Sequence, residues 1–231
     1  MKRKDLLFIV LVLAFFAPFV LCDKVLQFYL DFNHDHGLIT SFIKFALLAT
    51  LGEVIGLRIK SGAYSQPGFG IIPRMIVWGV LGVTIKMAFV IFATGTPAFM
   101  DYCGFNHAID TFKGPLSWGK VGVAFSISAA MNLIYAPIMM TLHKITDTHI
   151  LQNGGTMSGF FRPIQMRKIF VNLNWDVQWN FVFKKTIPFF WIPAHTITFL
   201  LPTDFQVLFA ALLGIALGAI LAVADMSGKK S

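Results

Sequence analysis

Apolar residues fall into six long stretches, separated by shorter polar connectors. Four contain no Asp, Glu, Lys or Arg: Leu6–Cys22, Val121–Leu142, Thr186–Leu201 and Phe205–Val223. Two more, Gly37–Leu57 and Met75–Thr94, are apolar but carry Lys44, Glu53 and Lys86. A helix needs about 20 residues to cross the hydrocarbon of a bilayer. Backbone groups in lipid find no water to bond, so each stretch is expected to be helical; the alternation of a barrel strand is absent. The predicted fold is an all-α integral membrane protein with about six transmembrane helices. Residues 1–23 form an N-terminal transmembrane segment or signal anchor, and residues 24–231 a single multi-pass membrane domain.

Composition agrees: 56% of residues are hydrophobic, 25 are Phe and 13% are charged, with a mean hydropathy of +0.71. The net charge of +8 sorts by connector. With Lys2, Arg3 and Lys4 in the cytoplasm, the inner segments collect Arg58, Lys60, Arg74, Lys144, Arg162, Arg167, Lys168, Lys184, Lys185, Lys229 and Lys230. The outer ones keep Lys24, Lys113 and Lys120 among Asp23, Asp31, Asp35, Asp101, Asp110 and Asp204. This positive-inside bias puts both termini in the cytoplasm. A bacterial cytoplasmic membrane is the expected location, with an organelle membrane as the alternative. The partner this charge implies is the lipid bilayer with its anionic headgroups, and no nucleic acid. The first stretch also resembles a signal peptide, but Val20-Leu21-Cys22 matches a small-residue cleavage site poorly, which favours an uncleaved span. Cys22 and Cys103 both come out on the outer face, where a disulfide is permitted, but two unpaired thiols are the expected case.

Between the spans, Asn33-His34-Asp35-His36 precedes a helical pattern. Asn33 or Asp35 suits a helix cap; a metal site on His34 and His36 lacks a third ligand at a familiar spacing, so no metal is expected. Ser61–Gly70 is a flexible connector. In Gly154–Lys185, Phe170, Leu173, Val177 and Phe181 recur at helical spacing, with Trp175 and Trp179 suited to headgroup level. This predicts a cytoplasmic interfacial helix, or else an inward extension of the fifth span. Gly52/Gly56 and Gly214/Gly218 flatten helix faces for close packing, within the bundle or in a homo-oligomer. Pro188, Pro193 and Pro202 predict a bent, short fifth span.

Ionisable and polar residues at membrane depth are expensive and point to function. Counting about 1.5 Å per residue, Lys86 lies roughly 18 Å beyond Arg74, Asn132 roughly 15 Å above Leu142, and His195 roughly 15 Å above Lys185. Glu53 sits lower, about 8 Å from Arg58. Lys86, His195, Asn132 and Glu53 are therefore candidate pore-lining residues, with Lys86 and His195 favouring polar or anionic solutes. The competing reading is structural: Glu53 pairs with Arg58 or a neighbouring basic group, Lys44 snorkels, and Asn132 and His195 bond across helices.

Trp191, Pro193, Phe199 and Pro202 resemble the C-terminal signature of the Mpv-seventeen/PMP-twenty-two family of membrane proteins, Pro202 after a one-residue gap. His195 stands at the family's Gln position, Thr198 at its Asn and Gln206 at its Arg. Upstream, His36-Gly37, Gly52-Glu53, Arg74 and Asn132 with Ala136-Pro137 fall in the family's order. The family's Gly-Pro and Trp-Tyr pattern in the second helix is absent, so the resemblance implies a divergent member, with a bacterial one as the expectation. The resemblance covers residues 34–224 and implies a four-span core to which the first span is added. It also implies suspected channel activity with no established substrate.

Together these features predict a channel or facilitator for small polar or anionic solutes, the solute itself unknown. The alternative is a non-transporting structural or assembly membrane protein. An enzyme is not expected: His143 and Asp147 form no recognised acyltransferase motif, and no catalytic triad or paired-carboxylate set appears. No cofactor is expected, and no Walker-type glycine loop is present.

Overall fold

The computed structural model describes residues 3–228, with side chains as far as Ile220. Lys2, Lys229 and Lys230, used above to orient the chain, lie outside the described residues. Five described helices are long and apolar enough to cross a membrane: Arg3–Leu21, Gly37–Ser61, Ile71–Tyr102, Trp118–Gln152 and Thr203–Ile220. The chain is a multi-pass, all-α membrane protein. Its bundle leaves Val90, Leu133, Ile134, Ile138 and Phe189 exposed. Such an apolar surface would aggregate in water and suits contact with lipid.

The chain divides into two compact units, one ending at Thr40 and one beginning at Ser41. In the first, α1 (Arg3–Leu21) and α2 (Asp23–Asp35) pair, with the Phe19 and Tyr29 rings edge to face at 5.7 Å. The region expected as an outer loop is thus helical. Cys22 turns extended to separate the two helices, and His36 breaks the second. Across that break the Thr40 hydroxyl donates to Asn33 Oδ1 at 2.9 Å. Cys22 is exposed and carries a free thiol.

α3 (Gly37–Ser61) runs on into the second unit, which also holds α4 (Ile71–Tyr102), α5 (Ala108–Lys113), α6 (Trp118–Gln152) and the remaining helices. At about 1.5 Å per residue, α4 and α6 are roughly 50 Å long, well beyond the ~30 Å hydrocarbon layer. They outrun the stretches expected from apolarity: α4 carries on through Gly95 and the buried Pro97, and His143–Gln152 holds no Gly or Pro to end α6. Ser117 caps the start of α6 by accepting from the Lys120 N–H at 3.2 Å. At its end, Gly154 takes φ +70° and donates to the Leu151 carbonyl, while the Gly155 N–H reaches Ile150 at 2.9 Å. That reciprocal pattern needs a residue without Cβ at Gly154. Cys103, just past α4, is an exposed free thiol.

The expected interfacial helix is broken into α7 (Met157–Phe160), α8 (Met166–Val171) and α9 (Trp175–Val177). Asn174 is the physical reason: its side chain accepts from the Val177 N–H at 3.1 Å and starts a new helix there. Ile169 and Leu173 then pack under α6 against Ile145 instead of facing a membrane surface. From Trp175 onward the helix extends the fifth stretch, as the alternative reading had it.

That stretch is not short: Pro188 and Pro193 lie inside the helical run, and only Pro202 ends it. α9 passes directly into a π-helix, Gln178–Trp191, and then into α10 (Ile192–Leu200). Pro188 has no N–H, and its ring would strike the carbonyl four residues back in an α-helix. Wider i→i+5 turns ease the clash, while the donor stays missing. The Ile192 N–H bonds to the Ile187 carbonyl, the last such bond before α-helical spacing resumes. Leu201 is extended ahead of Pro202, which ends the run. α11 (Thr203–Gly228) closes the chain. The two glycine pairs meet each other in the fold: a Cβ on Gly52 would lie 2.9 Å from Ile215 Cα, and one on Gly218 3.2 Å from the Gly52 carbonyl. They serve packing of α3 against α11.

Candidate functional site

Glu53, Arg74 and Asp147 come from α3, α4 and α6. Arg74, only 6% exposed, pairs with both carboxylates, one on each side of its guanidinium. Its Nε donates to the Phe69 carbonyl at 2.7 Å and its charge lies over the Phe69 ring. Glu53 also accepts from Trp78 Nε1 at 2.8 Å and meets His143 Nε2 at 3.1 Å. Lys144 Nζ reaches the second oxygen of Asp147 at 3.3 Å. Arg58 is elsewhere, donating to the Gly62 carbonyl and lying over Tyr64. Glu53 therefore pairs with a neighbouring base, and that base is Arg74.

Beside this ionic knot lies a cavity of about 590 Å³ between α3, α4, α6, the π-helix, α10 and α11. Lys60, Gln66 and Lys144 border one end, while Phe89, Asn132 and His195 border the other. Its walls are mainly apolar and aromatic, with few polar groups, which is the usual make-up of a small-molecule site. Gly52, Gly56, Gly214 and Gly218 line it too, so the close helix packing also shapes this space.

At the far end, Asn132 and His195 are brought together, both buried. Asn132 Nδ2 donates to the Ser128 carbonyl at 2.8 Å and lies 3.0 Å from His195 Nδ1. The Ser128 hydroxyl in turn donates to the Ile192 carbonyl at 2.7 Å, tying α6 to α10. The His195 ring stacks on Trp191 at 5.0 Å and meets Phe89 edge-on. Next along α10, the Phe199 ring sits 5.0 Å from Phe89. Asn132→Ala is expected to cost about 1–3 kcal/mol, because it strips a buried imidazole nitrogen of its partner. Thermal unfolding of the purified protein in detergent measures this.

No family model, curated protein or solved structure matches this chain.

Lys86 does not join the layer. The α4 residues bordering the cavity include Trp78, Ile85 and Phe89. Lys86 is one position past Ile85, so it is turned about 100° away. It lies instead within electrostatic range of Lys44, which also feels Asp204. A shared depth did not make a shared face. The sequence also gave no sign of the roles of Trp78, Asp147 and Gln178. His143 and Asp147 are one helical turn apart on α6, but only their meeting with α3 and α4 reveals what they do.

Proposed function

We propose that the chain is a six-span membrane protein with both termini on the cytoplasmic side, working as a channel or facilitator for a small solute held in this cavity. The sixth crossing is the helical run of π-helix and α10. The observation carrying the functional reading is a cavity of about 590 Å³ inside a membrane bundle, bordered by polar groups at both ends. The resemblance to the Mpv-seventeen/PMP-twenty-two family supports the same reading. Phe89 and Phe199, packed ring to ring beyond His195, are the natural barrier that must part for a solute to cross.

One observation favours the non-transporting alternative. Glu53, Arg74 and Asp147 are paired with one another, which is what residues that only tie helices together would do.

Solute release from proteoliposomes separates the two. A Cβ on Gly214 meets nothing within 4 Å, and this glycine lines the cavity. Gly214→Phe is therefore expected to intrude on the cavity. Release by the wild type that is lost in Gly214→Phe, and kept in Lys86→Met, supports a facilitator. Vesicles that stay tight with the wild type support the structural alternative.

A further inference from the structure

The π-helix changes which residues face the cavity. Gln178 and Trp191 are 13 positions apart, close to three turns at about 4.4 residues per turn. At about 3.6 residues per turn the same step would put them on nearly opposite sides. His195 follows Trp191 by one α-helical turn. Gln178, Trp191 and His195 all border the cavity.

Each of the three has hydrogen-bonding capacity that the described residues leave unused. Trp191 Nε1 is buried and has no partner. Gln178 is 6% exposed and its side-chain amide makes no hydrogen bond among the described residues. His195 is 8% exposed and spends only Nδ1, on Asn132. Nδ1 lies 3.0 Å from Asn132 Nδ2 and 3.2 Å from Oδ1; taking the closer Nδ2 as donor makes Nδ1 the acceptor and assigns the ring proton to Nε2, which makes no hydrogen bond among the described residues. Buried polar groups nearly always find partners, so unfilled donors along one cavity wall point to a guest that supplies them.

The chemistry of that guest follows. Trp191 Nε1–H and His195 Nε2–H are both donors and call for an acceptor oxygen. The Gln178 amide accepts as well as donates. The stripe carries no charge: Lys60 and Lys144 border the opposite end of the cavity, Lys144 reaching Asp147, while Glu53, Arg74 and Asp147 pair among themselves and Lys86 is turned away. An ion brought against largely apolar walls would lose its hydration without a counter-charge. Resting on the facilitator reading above, we infer that the cavity takes small uncharged solutes of the amide or polyol type, held by the Gln178–Trp191–His195 stripe. This narrows the expectation of polar or anionic solutes to the uncharged ones.

Proteoliposomes loaded with urea, glycerol or potassium chloride test this by light scattering. The wild type is expected to pass urea and glycerol and to hold chloride. Trp191→Phe and Gln178→Leu each remove one hydrogen-bonding group, the second at similar volume, and should slow urea and glycerol about 3- to 10-fold. Lys86→Met should leave both rates unchanged. Chloride flux as fast as urea flux would overturn the assignment of an uncharged solute. Equal urea rates in the wild type, Trp191→Phe and Gln178→Leu would overturn the stripe while leaving a facilitator in place. Wild-type vesicles tight to every solute would remove the facilitator reading itself. Circular dichroism of each variant confirms that a slowed rate is not a lost fold.

Discussion

Replacing Arg74 by Met is expected to destabilise the bundle by about 3–5 kcal/mol, the largest loss for any single side chain outside the apolar core. The guanidinium is buried between Glu53 and Asp147, so its removal leaves two carboxylates facing each other in a low-dielectric site. His143 and Lys144 remain beside them, but each reaches only one carboxylate. For a chain of this size the loss corresponds to a melting temperature lower by about 10 °C. Arg74→Lys should fall in between, since a compact ammonium cannot span two partners as a planar guanidinium does. Neutralising the set together, with Glu53→Gln and Asp147→Asn added to Arg74→Met, should recover most of the loss, because no unpaired charge then remains. Thermal unfolding in detergent reads all of these. A melting temperature for Arg74→Met equal to that of the wild type would mean that the ion pairs contribute nothing.

The spans were legible because lipid imposes one requirement everywhere, a long apolar helix with its own hydrogen bonds satisfied. What the sequence hid are relations between helices and departures from the α-helical period. Glu53, Arg74 and Asp147 sit on three helices, and no spacing along the chain brings them together. Asn132 and His195 were matched by depth and do meet. Lys86 was matched by the same depth and does not, since depth leaves the angle around the helix open. The stripe of Gln178 and Trp191 is invisible at an α-helical period and appears only when Pro188 widens the turns. Asp23–Asp35 reads as a loop because it mixes Asp, Asn and His with its apolar residues, yet it forms α2. The two glycine pairs were recognisable as packing surfaces, but which helix each would face was open.

The glycine pairs carry the second large effect, and it differs sharply among four residues that look alike in sequence. Helices in lipid gain no hydrophobic drive from meeting one another, so their association depends on close backbone approach. A Cβ on Gly52 would sit 2.9 Å from Ile215 Cα, a backbone atom that can retreat only if α11 moves. Gly52→Val should therefore cost about 1–3 kcal/mol or more by overpacking, and Gly52→Ala nearly as much. On Gly218 the contact is 3.2 Å to the Gly52 carbonyl, so Gly218→Ala should cost less. On Gly56 it is an ordinary 3.6 Å, and on Gly214 nothing lies within 4 Å. Gly56→Ala should be close to neutral. Gly214→Ala should stabilise by about 0.5–1 kcal/mol, because alanine loses less backbone freedom than glycine in a helix. Thermal unfolding of the four alanine variants gives the order directly. Equal losses at all four would mean that glycine is needed there for something other than contact between α3 and α11. A loss at Gly214 larger than at Gly52 would place the two helices on different faces, and the cavity wall they share would have to be redrawn.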